Sequence, residues 1–142
     1  MNMTAMNYHA VTQSGATPTV LVVEDECMVR IPIVEYLRDC GFRVLEAADA
    51  PGAIEVLEAD GSIDLVFSDV RMPGPMDGRG LARWVREHHP TTPVLLTTGY
   101  SGHGNYDRGD VTRVIEKPYS QGEVMRQIAA ILQRRRPAGR DR

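Results

Sequence analysis

Five short runs of apolar residues alternate along this chain with longer segments in which apolar residues recur every three or four positions. Short apolar runs rich in β-branched residues are typical of parallel strands that are buried on both faces. The longer segments have the spacing of helices that bury one face. We predict strands at residues 19–23, 43–47, 63–67, 93–97 and 111–116, with the second, less apolar strand at an edge of the sheet.

Four of the intervening segments predict helices with a defined apolar face. In chain order, the residues that mark these faces are Val29, Ile33, Val34 and Leu37; Ala50, Ala53, Ile54 and Leu57; Leu81, Trp84, Val85 and His88; and Val124, Ile128, Ile131 and Leu132. Asp49 and Ser120 stand where they would cap the second and the last of these helices. Pro32 lies inside the first helix, where it removes a hydrogen bond, so we expect a slight bend or a later helix start.

The alternation of strands and helices predicts an α/β fold: a doubly wound, five-stranded parallel sheet with helices on both faces. The domain should occupy residues 19–134, between a disordered extension at residues 1–18 and a basic tail at residues 135–142. Residues 101–110 should hold one more helix, but they contain three glycines and no apolar stripe. Because glycine is unfavourable in a helix interior, this segment is expected to be short or mobile.

The composition is that of an ordinary soluble domain, with 42% hydrophobic residues and a net charge of −3 among 142 residues. Such a chain gains little from general attraction to nucleic acid or to anionic membranes. Since no apolar run reaches the roughly 20 residues that span a bilayer, and no secretory signal begins the chain, we expect a cytoplasmic location. Cys27 and Cys40 fall on one predicted helix, about 20 Å apart, and are expected to stay reduced and unpaired.

Polar side chains cluster where the predicted strands end. Glu24 and Asp25 follow the first strand, Asp69 follows the third, Thr98 the fourth and Lys117 the fifth. Taken singly, these residues are ordinary helix-terminal acids, turn formers or loop residues. Because ligands bind outside the carboxyl ends of the strands in a doubly wound sheet, we expect all five to form one pocket.

A cluster of three carboxylates predicts a metal ion, because the acids would otherwise repel one another. Mg²⁺ is the expected cation, since it prefers oxygen ligands and is commonly held by one or two carboxylates together with a phosphate oxygen. Asp25 and Asp69 are the predicted direct ligands, and Glu24 would bind through water. The backbone carbonyl of Arg71 is expected to complete the protein ligands.

Asp69 is the predicted nucleophile toward phosphorus. A carboxylate can form an acyl phosphate once nearby cations offset the charge on the transferring oxygens, and Lys117 would supply such a cation. Lys117 is the only lysine among 16 basic residues. This favours a compact point charge at that position over a planar guanidinium.

The chain resembles the receiver domain of bacterial two-component response regulators. The motifs that carry the resemblance are Val-Val-Glu-Asp-Glu (22–26), Ser-Asp-Val-Arg-Met-Pro (68–73), Met-Asp-Gly (76–78), Thr-Thr-Gly (97–99) and Glu-Lys-Pro (116–118). The resemblance implies strand order 2-1-3-4-5 and a fold of the flavodoxin-like type. It also implies a signalling protein rather than an enzyme with external substrates.

The resemblance assigns roles to the pocket residues. Asp69 would accept phosphate from the phosphohistidine of a histidine kinase, Glu24 and Asp25 would be the acidic pair for Mg²⁺, Lys117 would contact the phosphoryl group, and Thr98 would be the switch hydroxyl. The implied partners are a histidine kinase or phosphotransfer protein and a downstream protein target. The expected assembly is a monomer or a weak dimer, with no contact to nucleic acid or membrane.

Three departures from the family pattern bear on switching. Gly74-Pro75 makes the loop after Asp69 one residue longer than is usual, and Val114 replaces an aromatic residue three positions before Lys117. The usual relay from threonine to aromatic ring is therefore in doubt. The glycine-rich segment 101–110 could switch by ordering and disordering.

Other functions remain open at this point. The receiver could stand alone or belong to a hybrid kinase, or it could be a binding scaffold that is never phosphorylated. A flavodoxin-like cofactor binder would need a phosphate-binding loop after the first strand, where this chain has acids. A Mg²⁺-dependent hydrolase would need an aspartate two residues after Asp69, where Arg71 stands.

Overall fold

A computed structural model describes residues 17–99 and 111–140. Its five strands are β1 (Thr19–Val23), β2 (Arg43–Ala47), β3 (Leu65–Asp69), β4 (Val94–Thr98) and β5 (Arg113–Glu116). Four helices occur in these residues: α1 (Cys27–Asp39), α2 (Ala50–Ala59), α3 (Gly78–His88) and α4 (Gln121–Arg140). All strand pairs are parallel, in the order β2-β1-β3-β4-β5, which confirms the predicted fold class and the edge position of β2.

The sheet separates two apolar layers. One layer packs α1 and α4 against Val20, Val22 and Phe67, and the other packs α2 and α3 against Leu21 and Val23. Successive residues of a strand point to opposite faces, so every residue of β1 is buried on one side or the other. The apolar run at residues 20–23 of this strand reflects its central position.

The third strand is shifted by two residues from its predicted position. The predicted strand began at Ile63, but Ile63 and Asp64 precede β3, and the Asp64 carboxylate accepts a hydrogen bond from the Thr19 N–H at 2.8 Å. The strand then continues through Asp69, which pairs with Thr97 of β4. Asp69 is therefore the last residue of a buried strand and not the first residue of the following turn.

The predicted helix caps are confirmed. The Asp49 carboxylate accepts a hydrogen bond from the Gly52 N–H at 2.8 Å, and the Ser120 hydroxyl accepts one from the Glu123 N–H at 3.1 Å. The predicted apolar faces are also largely buried, but His88 is exposed. The His88 ring stacks on Trp84 with 4.2 Å between centroids. Its exposure is understandable, because an imidazole at the solvent-facing end of a helix gains nothing from burial.

Of the two effects predicted for Pro32, a later start of α1 does not occur, and a slight bend stays a prediction. The helix begins at Cys27, where the Glu26 carbonyl accepts hydrogen bonds from the N–H groups of Val29 and Arg30. Pro32 is exposed inside this helix, where water can reach the carbonyl that its missing N–H leaves without a helical donor.

Helix α4 is longer than predicted. Its backbone stays helical to Arg140, through most of the tail predicted at residues 135–142. The first 16 residues of the disordered extension predicted at residues 1–18, and the helix predicted at residues 101–110, lie outside the described residues. Both cysteines are unpaired as predicted, with Cys27 exposed and Cys40 buried. No helix in the described part of the chain is long and apolar enough to cross a membrane.

Gly78 allows α3 to approach the end of β3 closely. Its N–H donates a hydrogen bond to the Val70 carbonyl at 2.7 Å. A Cβ atom at this position would overlap the Asp69 carbonyl oxygen and lie 2.8 Å from the Val70 Cα. Because both neighbours are backbone atoms, the overlap can be relieved only by moving α3 or β3.

We therefore expect Gly78→Ala to lower the free energy of unfolding by about 1–3 kcal/mol, the usual cost of overpacking. Gly61→Ala is the matched control, since a Cβ atom there would meet nothing within 4 Å; its effect should stay within about 0.5 kcal/mol. Urea unfolding followed by far-UV circular dichroism measures both. Equal stability of the two variants would contradict the close approach.

Candidate functional site

The sheet brings the predicted site residues to one edge. Asp69 and Thr98 are the last residues of β3 and β4, Glu24 and Asp25 directly follow β1, and Lys117 directly follows β5. The central strands β1, β3 and β4 are adjacent and parallel, so their carboxyl ends lie side by side. Glu24 and Asp69 are buried, whereas Asp25 is exposed.

Three carboxylates form a compact cluster at this edge. One oxygen each from Glu24, Asp25 and Asp69 lies within 4.8 Å of the other two. Burial raises the pKa of Glu24, and the negative charge of Asp69 raises it further, while a hydrogen bond from the Glu26 N–H at 3.0 Å acts in the opposite direction. A set of hard oxygen donors that repel one another fits Mg²⁺.

Lys117 provides the cation beside this cluster. Its Nζ donates a hydrogen bond to Oδ2 of Asp69 at 2.9 Å, and the Asp69 side chain is only 9% exposed. The Lys117 backbone N–H donates to the Thr98 carbonyl at 2.8 Å, which fixes the start of the loop after β5. A cis peptide bond joins Lys117 to Pro118.

Asp69 also borders an open cavity of about 600 Å³. Five acids line this cavity together with residues 71–75: Glu24, Asp25, Glu26, Asp69 and Asp77. The cavity has room for a phosphoryl group and a metal ion, and its acids can supply oxygen ligands for the metal. Arg71 lies at this cavity, and its carbonyl as a further ligand stays a prediction.

The two threonines of β4 lie on opposite faces of the sheet. Both are buried, and strand alternation places Thr98 on the face of Leu96, which packs with α2 and α3. Val114 pairs with Leu96 and contacts the same apolar layer. Thr98, the predicted switch residue, and Val114, the valine at the usual aromatic position, therefore lie on one face of the sheet, with Val114 beside Leu96 and Thr98 beside Glu116.

Sequence reasoning missed three residues around the site. Asp77 lines the cavity and caps α3, where its Oδ1 accepts hydrogen bonds from the N–H groups of Arg79 and Gly80 at 3.0 Å. Asp before glycine at a helix start is a detectable capping signal. Tyr119 and Arg30, described below, carry no such local signal.

Tyr119 packs beneath the cluster, with its ring edge-on to Phe67 at 6.0 Å between centroids. Burial raises the pKa of Tyr119 to about 12, with smaller contributions from the charges of Glu24 and Asp69. Its hydroxyl therefore stays protonated and adds no negative charge to the site.

Comparison with known proteins decides the family. The family model of the response regulator receiver domain matches residues 20–129. The chain belongs to this family. The acidic cluster of this receiver domain lies at the sheet edge where the sequence motifs placed it.

The relatives of this receiver domain include much longer proteins. The chain is 42% identical over 91 residues to the sensor kinase CckA of Brucella abortus. The aligned residues cover 63% of this chain and 10% of the kinase. The chain is 31% identical over 119 residues to the sensory transduction protein RegX3 of Mycolicibacterium smegmatis, which covers 82% of this chain and 51% of RegX3. The chain thus spans about a tenth of one relative and half of the other.

A solved structure shows the same architecture. The receiver domain of the hybrid histidine kinase CckA superimposes with a TM-score of 0.66 at 36% identity, covering 80% of this chain and 98% of that domain. The likeness extends over almost the whole of a separately crystallised receiver domain. It supports treating the described residues as one receiver unit.

The raised pKa of Glu24 predicts a pH-dependent stability. Above its folded pKa the ionised carboxylate costs stability, and below the unfolded value of 4.5 this cost disappears. Without divalent cations, Glu24→Gln should therefore be more stable than the wild type at pH 7, and the difference should vanish as the pH falls toward 4.5. Urea unfolding over this pH range measures the difference.

Glu35→Gln provides the control, because it removes the same charge at an exposed position of α1. It should change stability little at any pH. A wild type as stable as Glu24→Gln at pH 7 would show that ionising the buried Glu24 carboxylate has no cost.

Proposed function

We propose that this receiver domain accepts a phosphoryl group on Asp69 from the phosphohistidine of a histidine kinase or phosphotransfer protein, and then signals through protein contact. The observation that carries the proposal is that Asp69 accepts a hydrogen bond from Lys117 and also lines the open acidic cavity. An aspartate that is held by one lysine and reachable from a cavity is suited to attack an incoming phosphorus.

The transfer exchanges one bond for another. A carboxylate oxygen of Asp69 attacks the phosphorus, and the bond between phosphorus and the imidazole nitrogen breaks. The electron pair of that bond stays on the imidazole, which takes up a proton, and Asp69 becomes an acyl phosphate. Lys117 donates to Oδ2 of Asp69 at 2.9 Å, whereas Oδ1 accepts the longer hydrogen bond from the Arg71 N–H at 3.4 Å. Oδ1, the less strongly held oxygen, is therefore the proposed nucleophile.

The acidic cluster is the proposed Mg²⁺ site. Asp25 and Asp69 would hold the ion directly and Glu24 through water, with the Arg71 carbonyl as a further ligand. Bound there, Mg²⁺ would offset the charge of the transferring phosphoryl oxygens. Lys117 offsets charge from the opposite side, so the site would meet the phosphoryl group with cations on two sides.

We further propose Thr98 as the hydroxyl that responds to phosphorylation. It is buried at the end of β4. It therefore lies at the carboxyl edge of the sheet and on the face that packs against α2 and α3. Val114 of β5 pairs with Leu96, two residues before Thr98 on the same face, and it has no ring to rotate. The signal would therefore pass by repacking of this face rather than by a swinging aromatic side chain.

A receiver module of a hybrid histidine kinase is the second candidate function. The 42% identity to the sensor kinase CckA favours it, whereas the match to RegX3 favours a response regulator. Both candidates use the same chemistry at Asp69 and differ only in what is covalently attached. Either function implies a cytoplasmic location, since the ATP that charges a histidine kinase is intracellular.

Phosphorylation should be detectable without the natural kinase. Incubation with Mg²⁺ and acetyl phosphate should add the mass of one phosphoryl group, and Asp69→Asn should abolish this addition. Asp39→Asn is the control, because it removes the same charge at an exposed site on α1. Intact-mass spectrometry that finds no addition to the wild type with any small phosphodonor would favour an unphosphorylated scaffold.

Loss of Lys117 should slow the transfer. Lys117→Met removes one preorganised cation from the reacting oxygens, and the loss of one such group typically slows a reaction by about 10²-fold or more. Arg126→Met removes one positive charge from the exposed side of α4 and should leave the rate unchanged. Rates of phosphorylation by acetyl phosphate that are equal in these two variants would refute the role of Lys117.

A further inference from the structure

We propose that Arg30 is a positioning residue for the acidic cluster. Arg30 holds Glu24 and Asp25 in the geometry that binds a divalent cation. Its Nη1 donates a hydrogen bond to the backbone carbonyl of Glu24 at 2.7 Å. Its Nε donates a second hydrogen bond to Oε1 of Glu46 at 3.1 Å. The inference rests on the metal site of the proposed function and assigns that site a support outside its ligands.

The backbone of Glu24 is held at both of its polar groups. Its N–H donates to the Ala47 carbonyl at 3.1 Å, and its carbonyl accepts the Arg30 guanidinium. Glu46 and Ala47 are neighbours at the end of β2. The turn after β1 is thus tied to the edge strand directly through Ala47 and indirectly through Arg30.

The Glu24 carbonyl belongs to the peptide group that leads into Asp25. Because a peptide group is planar, fixing this oxygen also fixes the direction in which the Asp25 Cα leaves the turn. Asp25 is exposed, so little packing restrains it. The Arg30 hydrogen bond is therefore well placed to limit the positions of the Asp25 carboxylate.

Arginine suits this task because its donors point in fixed directions. One guanidinium serves a carbonyl and a carboxylate at once, whereas a lysine ammonium is a single point on a flexible stem. The Arg30 side chain is 19% exposed. Its bond to the Glu24 carbonyl is partly buried, whereas its bond to Glu46 is exposed. Since Arg30 takes the Glu24 carbonyl, it leaves the Glu24 carboxylate to the acidic cluster.

Arg38 provides a closely matched control. Its Nη2 donates to the Val44 carbonyl at 2.8 Å and lies 3.7 Å from Oε2 of Glu46. Arg38 therefore has the same charge, helix, carboxylate partner and type of backbone acceptor as Arg30. Its backbone acceptor lies in β2, away from the acidic turn.

The test measures divalent-cation affinity directly. Mn²⁺ is titrated into the full chain without phosphodonor, free Mn²⁺ is followed by electron paramagnetic resonance, and Mg²⁺ is then added as a competitor. We expect Arg30→Met to weaken Mn²⁺ binding about 10-fold, the lower end of the effect of outer-shell partners. Arg38→Met should change it less than about 2-fold, and Arg30→Lys should restore only part of the loss.

A second set of variants separates positioning from general stability. Glu46→Gln should weaken binding a few-fold, and Arg30→Met combined with Glu46→Gln should bind no worse than Arg30→Met alone, because both changes break one chain of contacts. Additive losses would indicate independent structural effects and overturn the inference. Urea unfolding without metal confirms that each variant is folded under the conditions of the titration.

The outcomes also distinguish this inference from the proposed function. A wild type that binds Mn²⁺ and an Arg30→Met variant that binds it equally well would overturn the role of Arg30 alone. Equal weakening by Arg30→Met and Arg38→Met would overturn it as well, since only one of them contacts the acidic turn. A wild type that binds no Mn²⁺ would overturn the metal site, and the role of Arg30 with it.

Discussion

The structure depends on a balance of charge at the carboxyl edge of its sheet, where three carboxylates share a small volume with one lysine. Removing one partner of a buried ion pair typically costs about 3–5 kcal/mol, whereas exposed pairs contribute about 0–1 kcal/mol. The pair of Asp69 and Lys117 lies between these limits, because the lysine side chain is 33% exposed. One lysine cannot neutralise three acids, so the cluster keeps excess negative charge, which suits a further cation.

The fold tolerates the repulsion among these carboxylates because the backbone that carries them is firmly held. The central strands are buried on both faces, and Gly78 lets α3 lie directly against the end of β3. The backbone groups at the edge are held by neighbouring strands and, at Glu24, by Arg30. Repulsion among the carboxylates is therefore resisted by the backbone and does not splay the turns that carry them.

Much of the fold and the centre of the site were predictable from local pattern. Apolar runs and helix caps depend on residues that are adjacent in the sequence. The acids of the site were predictable because they directly follow those apolar runs. The exact end of β3 was not predictable, because Asp69 joins the strand through hydrogen bonds to β4 that sequence periodicity does not encode. Arg30 was missed for a similar reason, since Glu46 lies 16 residues away along the chain and meets it only once β2 has packed beside β1.

The most direct test of the central claim uses the single lysine of the chain. Selective ¹⁵N-lysine labelling should give one backbone amide signal, from Lys117, whose N–H donates to the Thr98 carbonyl. If Lys117 and the acids form one phosphoacceptor centre, Mg²⁺ with beryllofluoride, a phosphoryl mimic, should shift this signal in the wild type and leave it in place in Asp69→Asn. An unmoved signal in the wild type, or the same shift in Asp69→Asn, would contradict the account.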